Sequence, residues 1–328
     1  MKKILFVSSV CLFLAGGGLK PAPIPVTAAM HSVVAQNDNS TQASPTAPTQ
    51  VQLLNPGSEP RQELRFKPRV NAKQTMTITT NMDVATSIAS QPVPKIKFPA
   101  SVMKMEQVVT QVDANGDIHS QFSYTDADVV ADPTVPPELL NTVRSEIKKV
   151  VGLRGSSIMD NRGQIKSGNI VLPEGGDPIT KQLFNQMSNS LSQFSSPVPL
   201  EAVGKGAKWR VSSSLDIGGI QLTQTTLYEL VDLKDNVATL NVSMEQQAKS
   251  QELTPIGVPA GTTFTLKSLN SQGQGQIIMP LDAVMPIRSN LSIRSNNGMS
   301  IKQGSSGQET TLETNLLMQM ALESQILK

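Results

Sequence analysis

The stretch VMKMEQVVTQVDANGDIHSQFSY, residues 102–124, decides how this chain folds. Val102 to Val112 reads as one strand, and Ile118 to Tyr124 as a second in which Ile118, Phe122 and Tyr124 share a face. Between them lies Asp113-Ala114-Asn115-Gly116-Asp117, whose Asn-Gly pair is the strongest short-range signal for a tight hairpin. Strands joined this closely must run antiparallel.

The same alternation extends in both directions. Met76, Ile78, Thr80 and Met82 fall on one face of a strand and Thr75, Thr77 and Thr79 on the other. Shorter strands are expected at Gly155 to Met159 and Gln164 to Leu172. Trp209 to Leu215, Leu222 to Val231 and Val237 to Met244 follow, the last two joined by Asp232 to Asn236. Further strands are expected at Thr263 to Leu269, Gly275 to Met279, Ile287 to Ile293 and Leu312 to Leu322. Two helices interrupt the series. Pro137 to Val151 repeats Leu140, Val143, Ile147 and Val151 at spacings of three and four. The second has Asp177 as N-cap and Pro178 at its first position, then Ile179, Leu183, Met187 and Leu191. Each half of the chain thus holds strands, a turn-closed hairpin and one helix. The expected fold is mainly β with two helices (α+β): a curved, half-barrel-like antiparallel sheet built from two related halves, residues 62–175 and 176–325.

The N-terminus carries an export pattern. Met1-Lys2-Lys3 is a basic start, and Ile4 to Ala15 is an apolar run shorter than the about 20 residues a spanning helix needs. Small residues then mark a signal peptide over 1–28, with Val33-Val34-Ala35 as a second cleavage position. Cys11, the one cysteine, lies inside that run, so the exported chain would have no thiol and no disulfide. Residues 29–61, rich in Ser, Thr, Pro and Gln, read as a flexible tether, with Val51, Leu53 and Leu54 an incidental apolar patch. Periplasmic or extracellular placement follows, membrane-tethered if the signal is retained.

Composition narrows the chemistry. The net charge is +2, from 28 basic and 26 acidic residues, and aromatics make up 3%. Neither a nucleic-acid partner nor an anionic surface is indicated. His119 is the sole histidine outside the leader and tether, and it sits in a strand away from the apolar phase. No nucleophile elbow accompanies it. The Ser-x-x-Lys pattern occurs at Ser101–Lys104 and Ser145–Lys148, and Lys166-Ser167-Gly168 imitates a later element of penicillin-binding enzymes, but the spacing fails. No catalytic residue, cofactor or metal site is expected. Asp113, Asp117, Asp126 and Asp128 read as solvated turn and strand carboxylates, and Gly204-Lys205-Gly206 and Gly273-Gln274-Gly275 as turn glycines. The fourteen methionines stand out. Met76, Met103, Met105, Met187, Met244, Met318 and Met320 are candidates to line an apolar ligand site, with Met82 and Met279 among their neighbours in pattern; core filler is the competing reading.

Several landmarks resemble an uncharacterised family of bacterial exported, lipoprotein-like proteins of unknown function. They are Leu64-Arg65-Phe66-Lys67-Pro68, the Met/Thr-rich strand at 74–83, Val112 to Asp117, and Asp160-Asn161-Arg162-Gly163-Gln164. Pro197-Val198-Pro199-Leu200 and Gly206-Ala207-Lys208-Trp209 complete the set, and the likeness spans residues 62–250. That family lends no catalytic residue, and the anchoring cysteine of many relatives is lacking here. By architecture alone the plan is also similar to periplasmic carriers that shield lipids within a curved sheet. The expectation is a non-enzymatic envelope protein that binds a lipid or another apolar ligand in a Met/Leu-lined concavity. A structural or protein-interaction module, with an envelope protein as partner, is the alternative. A serine hydrolase built on Ser145 is a distant third.

Overall fold

A computed structural model describes residues 49–171, 197–217, 219–253, 262–303 and 309–327. Fifteen strands form one antiparallel sheet. In chain order they are β1 (Gln50–Asn55), β2 (Lys73–Ile88), β3 (Gln91–Pro92), β4 (Ile96–Lys97), β5 (Ser101–Val112) and β6 (Ile118–Val129). After helix α1 (Pro137–Lys148) come β7 (Arg154–Met159), β8 (Ile165–Val171), β9 (Lys208–Ile217), β10 (Ile220–Lys234) and β11 (Val237–Ala248). The last are β12 (Gln251–Leu253), β13 (Thr262–Pro280), β14 (Arg288–Gln303) and β15 (Glu309–Leu327). The sheet runs β1-β9-β10-β11-β13-β14-β15-β2-β5-β6-β7-β8, and among the described residues its two ends are not joined to each other. The first helix of the sequence reading is present; the second, at 178–191, lies outside the described residues, as does Met187.

The deciding hairpin forms as its sequence requires. Asp113 N–H donates to the Asp117 carbonyl (2.8 Å), Gly116 N–H to the Asp113 carbonyl (2.9 Å), and Gly116 takes a φ of 87°. The second hairpin is tighter than the expected 232–236 loop. Asp232 and Leu233 still pair, with Thr239 and Ala238, and only Asp235 and Asn236 turn, both at positive φ. That is the two-residue form whose twist matches the strands it joins.

Two other expectations are corrected. The tether stops short of 61, because Gln50–Asn55 pairs with β9 and sets Val51 and Leu53 against the main core. Its apolar residues alternate at period two, a stronger signal than its Ser/Pro-rich surroundings suggest. The expected break at residues 273–275 is likewise absent, since β13 runs unbroken through it. Its glycines answer to packing. A Cβ on Gly273 would stand 3.1 Å from Met244 Cε and 3.2 Å from Ile293 Cγ1, and one on Gly275 would overlap the Asn290 carbonyl.

Hairpin turns gather at one end of the sheet, and residues 62–72 cross that end. Gln62 bridges Val203, and Phe66 N–H donates to the Asn161 carbonyl (2.7 Å) between β7 and β8. Lys67 N–H reaches the Leu281 carbonyl (2.7 Å) beyond β13, and Asn71 N–H the Val109 carbonyl (2.8 Å) on β5. Beneath this crossing Leu64, Phe66, Val109, Ile118, Trp209 and Leu230 join one buried cluster. Val109 and Ile118 come from β5 and β6, while Trp209 and Leu230 come from β9 and β10. Along the sheet these pairs are separated by β11, β13, β14, β15 and β2, so they can meet only if the sheet curls. Its apolar face is therefore the inner one.

α1 closes part of the opposite end. Val143 is buried, and Leu139, Leu140 and Ile147 pack with Phe98, Val129, Met82 and Val84. Leu140, Val143 and Ile147 are the apolar stripe read from the sequence, laid on the sheet, but the helix stops at Lys148 and Val151, expected as its last member, is exposed beyond it. The loop before α1 is pinned by Asp132, whose carboxylate meets Lys97 Nζ (2.8 Å) and accepts from the Thr134 hydroxyl (2.6 Å) and N–H (2.8 Å). The Lys97 contact and the Thr134 bonds hold the Asp132 carboxyl down to about 2. A depressed folded pKa stabilises above the ordinary carboxylate value of about 4 and is lost on acidification through the folded value. Acid titration followed by circular dichroism should thus show a stability loss between about pH 4 and 2 that is smaller in Asp132→Asn.

Candidate functional site

Cross-strand partners in a sheet present their side chains on the same face, so the register shows which residues share the interior. Met82 pairs with Met318, which pairs with Ile293 and through it with Gly273 and Met244. One row nearer the crossed end, Thr80 pairs with Met320, and Met320 with Leu291, Gly275 and Val242. The next holds Met103, Ile78, Leu322 and, through Ser289, Ile277. In the row after that Met105 pairs with Met76, and Met76 with Ser324. All the candidate methionines within the described residues thus lie on one continuous inner face.

Burial divides that face. Met76, Met105, Met244 and Met318 are buried. Met103 and Met320 are only partly buried, as are Ile78, Leu291, Ile293 and Leu322 beside them. None of these six belongs to the three packed clusters, one under the crossing segment, one with α1, and one around Phe264, Leu266 and Met299. The clusters seal the margins. Among the described residues, nothing seals the centre. Apolar side chains left part-exposed inside a curved sheet form a surface on which a flexible apolar chain gains contact area. Met82, Met279, Leu291 and Ile293 belong to the same face. The phase of Leu291 and Ile293 within β14 was the sequence signal for the last two.

The inner positions named above carry no charge, whereas the outer face is polar. Lys104 meets Asp126 (3.1 Å), and Arg288 meets Glu323 (3.9 Å). Ser243, Gln274, Ser292, Gln319 and Asn81 form a neutral outer row lining a shallow depression of 680 Å³. A membrane barrel shows the reverse pattern, with its apolar side chains outward toward lipid.

The other candidates remain apart from this face. His119 Nε2 and Asp113 Oδ2 lie 2.8 Å apart beside the hairpin turn, and the hydrogen bond from His119, then that from Gln111, lowers the Asp113 pKa. Lys166 Nζ donates to both oxygens of Asp117 (2.7 and 2.8 Å) and lowers its pKa in turn. These contacts fasten the β5–β6 turn to β8. Lys104 of the first Ser-x-x-Lys pattern is engaged by Asp126 on the outer face, and Ser145 of the second is exposed on α1. Among the described residues no group of three His, Cys, Asp or Glu side chains is placed to hold a metal, and no helix is long and apolar enough to cross a membrane.

Residues 179–283 match a family of unknown function, DUF6263. No curated protein matches the chain. Among solved structures, the outer membrane protease OmpT from Escherichia coli is similar at 10% identity and a TM-score of 0.22, covering 81% of this chain and 99% of its own. Salmonella typhi OmpF, solved in complex with daunomycin, shows 5% identity and a TM-score of 0.21 over 76% of this chain and 98% of its own. The P. putida toluene transporter TodX gives 8% and 0.21 over 79% and 91%. Scores this low do not establish a shared fold.

Proposed function

We propose that this is an exported, non-enzymatic envelope protein that holds an apolar ligand, in the first place a lipid acyl chain, against the inner face of its sheet. The observation that carries the reading is the centre of that face, uncovered among the described residues, where Met103, Met320, Ile78, Leu291, Ile293 and Leu322 lie together and part-exposed. Methionine suits this task because its unbranched, polarisable side chain adapts to ligands of varied shape. Export is supported by the basic start, the short apolar run and the small-residue pattern of residues 1–28. Two turn-closed hairpins, β5–β6 and β10–β11, support an origin of the sheet from two related halves.

Organic extraction of the natively exported protein, followed by lipid mass spectrometry, tests the reading. A stoichiometric acyl lipid is expected. Folded protein that yields none, and takes up no apolar dye, would leave the face as structure and favour the interaction-module alternative.

A further inference from the structure

Where the crossing segment passes into β2, the surface joins cations to exposed aliphatic side chains. Phe66 and Pro68 are buried, and Lys67 and Arg69 alternate with them on the exposed side. A turn follows, in which Ala72 N–H donates to the Arg69 carbonyl (3.1 Å) and Asn71 takes a φ of 65°. Val70 stands in that turn with 50% of its surface exposed. Lys73, the first residue of β2, is exposed and pairs with Leu327, while Gln74 pairs with Ile326. Leu327 and Ile326 are 46% and 44% exposed. Three of the eight large apolar side chains exposed among the described residues thus gather at one corner of the molecule, beside Lys67, Arg69 and Lys73.

These cations are not neutralised within the fold. From Leu64 to Met82 the chain has no carboxylate. Lys67, Arg69 and Lys73 form no ion pair or side-chain hydrogen bond among the described residues. Glu63 is engaged by Arg65 (3.3 Å) and Glu323 by Arg288 (3.9 Å). Glu106, opposite Thr75, and Asp282, next to Leu281, border the corner and pair with none of the three. The net charge of +2 averages over the whole chain. A charged surface is felt only over a Debye length of about 10 Å at 0.1 M salt, so the local arrangement decides what the corner attracts. Cations alone suit any polyanion. Exposed valine, isoleucine and leucine beside them gain contact only where an apolar phase lies beneath the negative charge, which is the layering of a bilayer.

We infer that this corner docks the protein on an anionic lipid surface. Lys67, Arg69 and Lys73 lie among the headgroup phosphates, and Val70, Ile326 and Leu327 reach the acyl boundary. Such docking requires no ligand on the inner face.

Co-sedimentation of the natively exported protein with vesicles tests this, comparing phosphatidylcholine alone with phosphatidylcholine containing about one-third phosphatidylglycerol. The anionic vesicles should bind at least about tenfold more tightly, and raising salt from about 0.1 M to about 1 M should release the protein. Each cation near such a surface contributes about fivefold, so Lys67→Glu with Arg69→Glu should weaken binding at least about 25-fold. Val70→Ser with Leu327→Ser should weaken it about fivefold while the salt dependence persists. Lys249→Glu with Lys302→Glu makes the same charge change at the far ends of β11 and β14 and should leave binding as it was. Equal loss in the two charge-reversed pairs would overturn the corner as the docking site. Equal binding to both vesicle types would overturn the part given to the cations. No vesicle binding, with polyglutamate bound by the wild type and not by the Lys67→Glu, Arg69→Glu variant, would replace the lipid surface by an acidic protein. Binding to neither would overturn the inference outright and leave the acyl-binding reading to its own test.

Discussion

Trp209→Ala should lower the free energy of unfolding by about 3–5 kcal/mol, as expected when a large buried ring is cut back to a methyl. The residue is the single tryptophan of a chain only 3% aromatic, and it sits in the main buried cluster with Phe66 and Tyr228. Trp209 is 1% exposed and stacks on Tyr228, with centroids 5.4 Å apart and planes 14° from parallel. It also pairs across the strand with Leu53 of β1, the last strand at that end of the sheet. Its loss should therefore loosen β1 along with the core. Trp209→Phe gives a sharper test. The indole Nε1 is buried without a hydrogen-bond partner among the described residues, which costs about 1–3 kcal/mol, and phenylalanine removes that group while retaining most of the ring. Urea unfolding followed by far-ultraviolet circular dichroism should place Trp209→Phe much closer to the wild type than Trp209→Ala. Equal losses in the two variants would mean that indole shape alone sets the stability.

How much of this was legible beforehand depended on which interactions shape each segment. Hairpins were readable because Asn115-Gly116 and Asp235-Asn236 determine their own backbone geometry locally. The methionine face was readable because period two survives from Met76 to Met82 and from Leu316 to Leu322, and a strand has only two faces on which to place them. Gln50–Asn55 was missed because its strand is made by β9, some 150 residues away in sequence, and composition is blind to such a partner. Gly273 and Gly275 misled for a related reason. Glycine usually marks a turn, but here it makes room for Met244, Ile293 and the β14 backbone, a requirement visible only once the strands are side by side. A row of polar side chains on the inner face, Gln246, Ser271 and Ser295, was not legible either. Ser271, Ser295 and Gln246 are unremarkable in their own segments and become a feature only through the register of β11, β13 and β14.

The register also separates the two readings of the methionines, because a core and a binding surface respond differently to charge. Met320 lies part-exposed at the centre of the face, next to Leu291 and Thr80. In Met320→Glu the new carboxylate can stay hydrated while the face is uncovered, so the unfolding free energy should change by less than about 1 kcal/mol, as for other substitutions outside a packed core. A bound acyl chain would force that carboxylate out of water without a counter-charge, a penalty of several kcal/mol. Dye and lipid binding should accordingly fall at least about 100-fold, which corresponds to about 2.8 kcal/mol. Gln319→Glu, one residue away on the outer face, supplies the control and should leave both stability and binding as they were. If Met320→Glu instead unfolds the protein, Met320 is core, because only a side chain already sealed from water would make the charge intolerable before any ligand arrives. If the variant folds and still binds, the acyl chain does not lie on this face. Stability retained and binding lost is the outcome that a surface built to be covered requires.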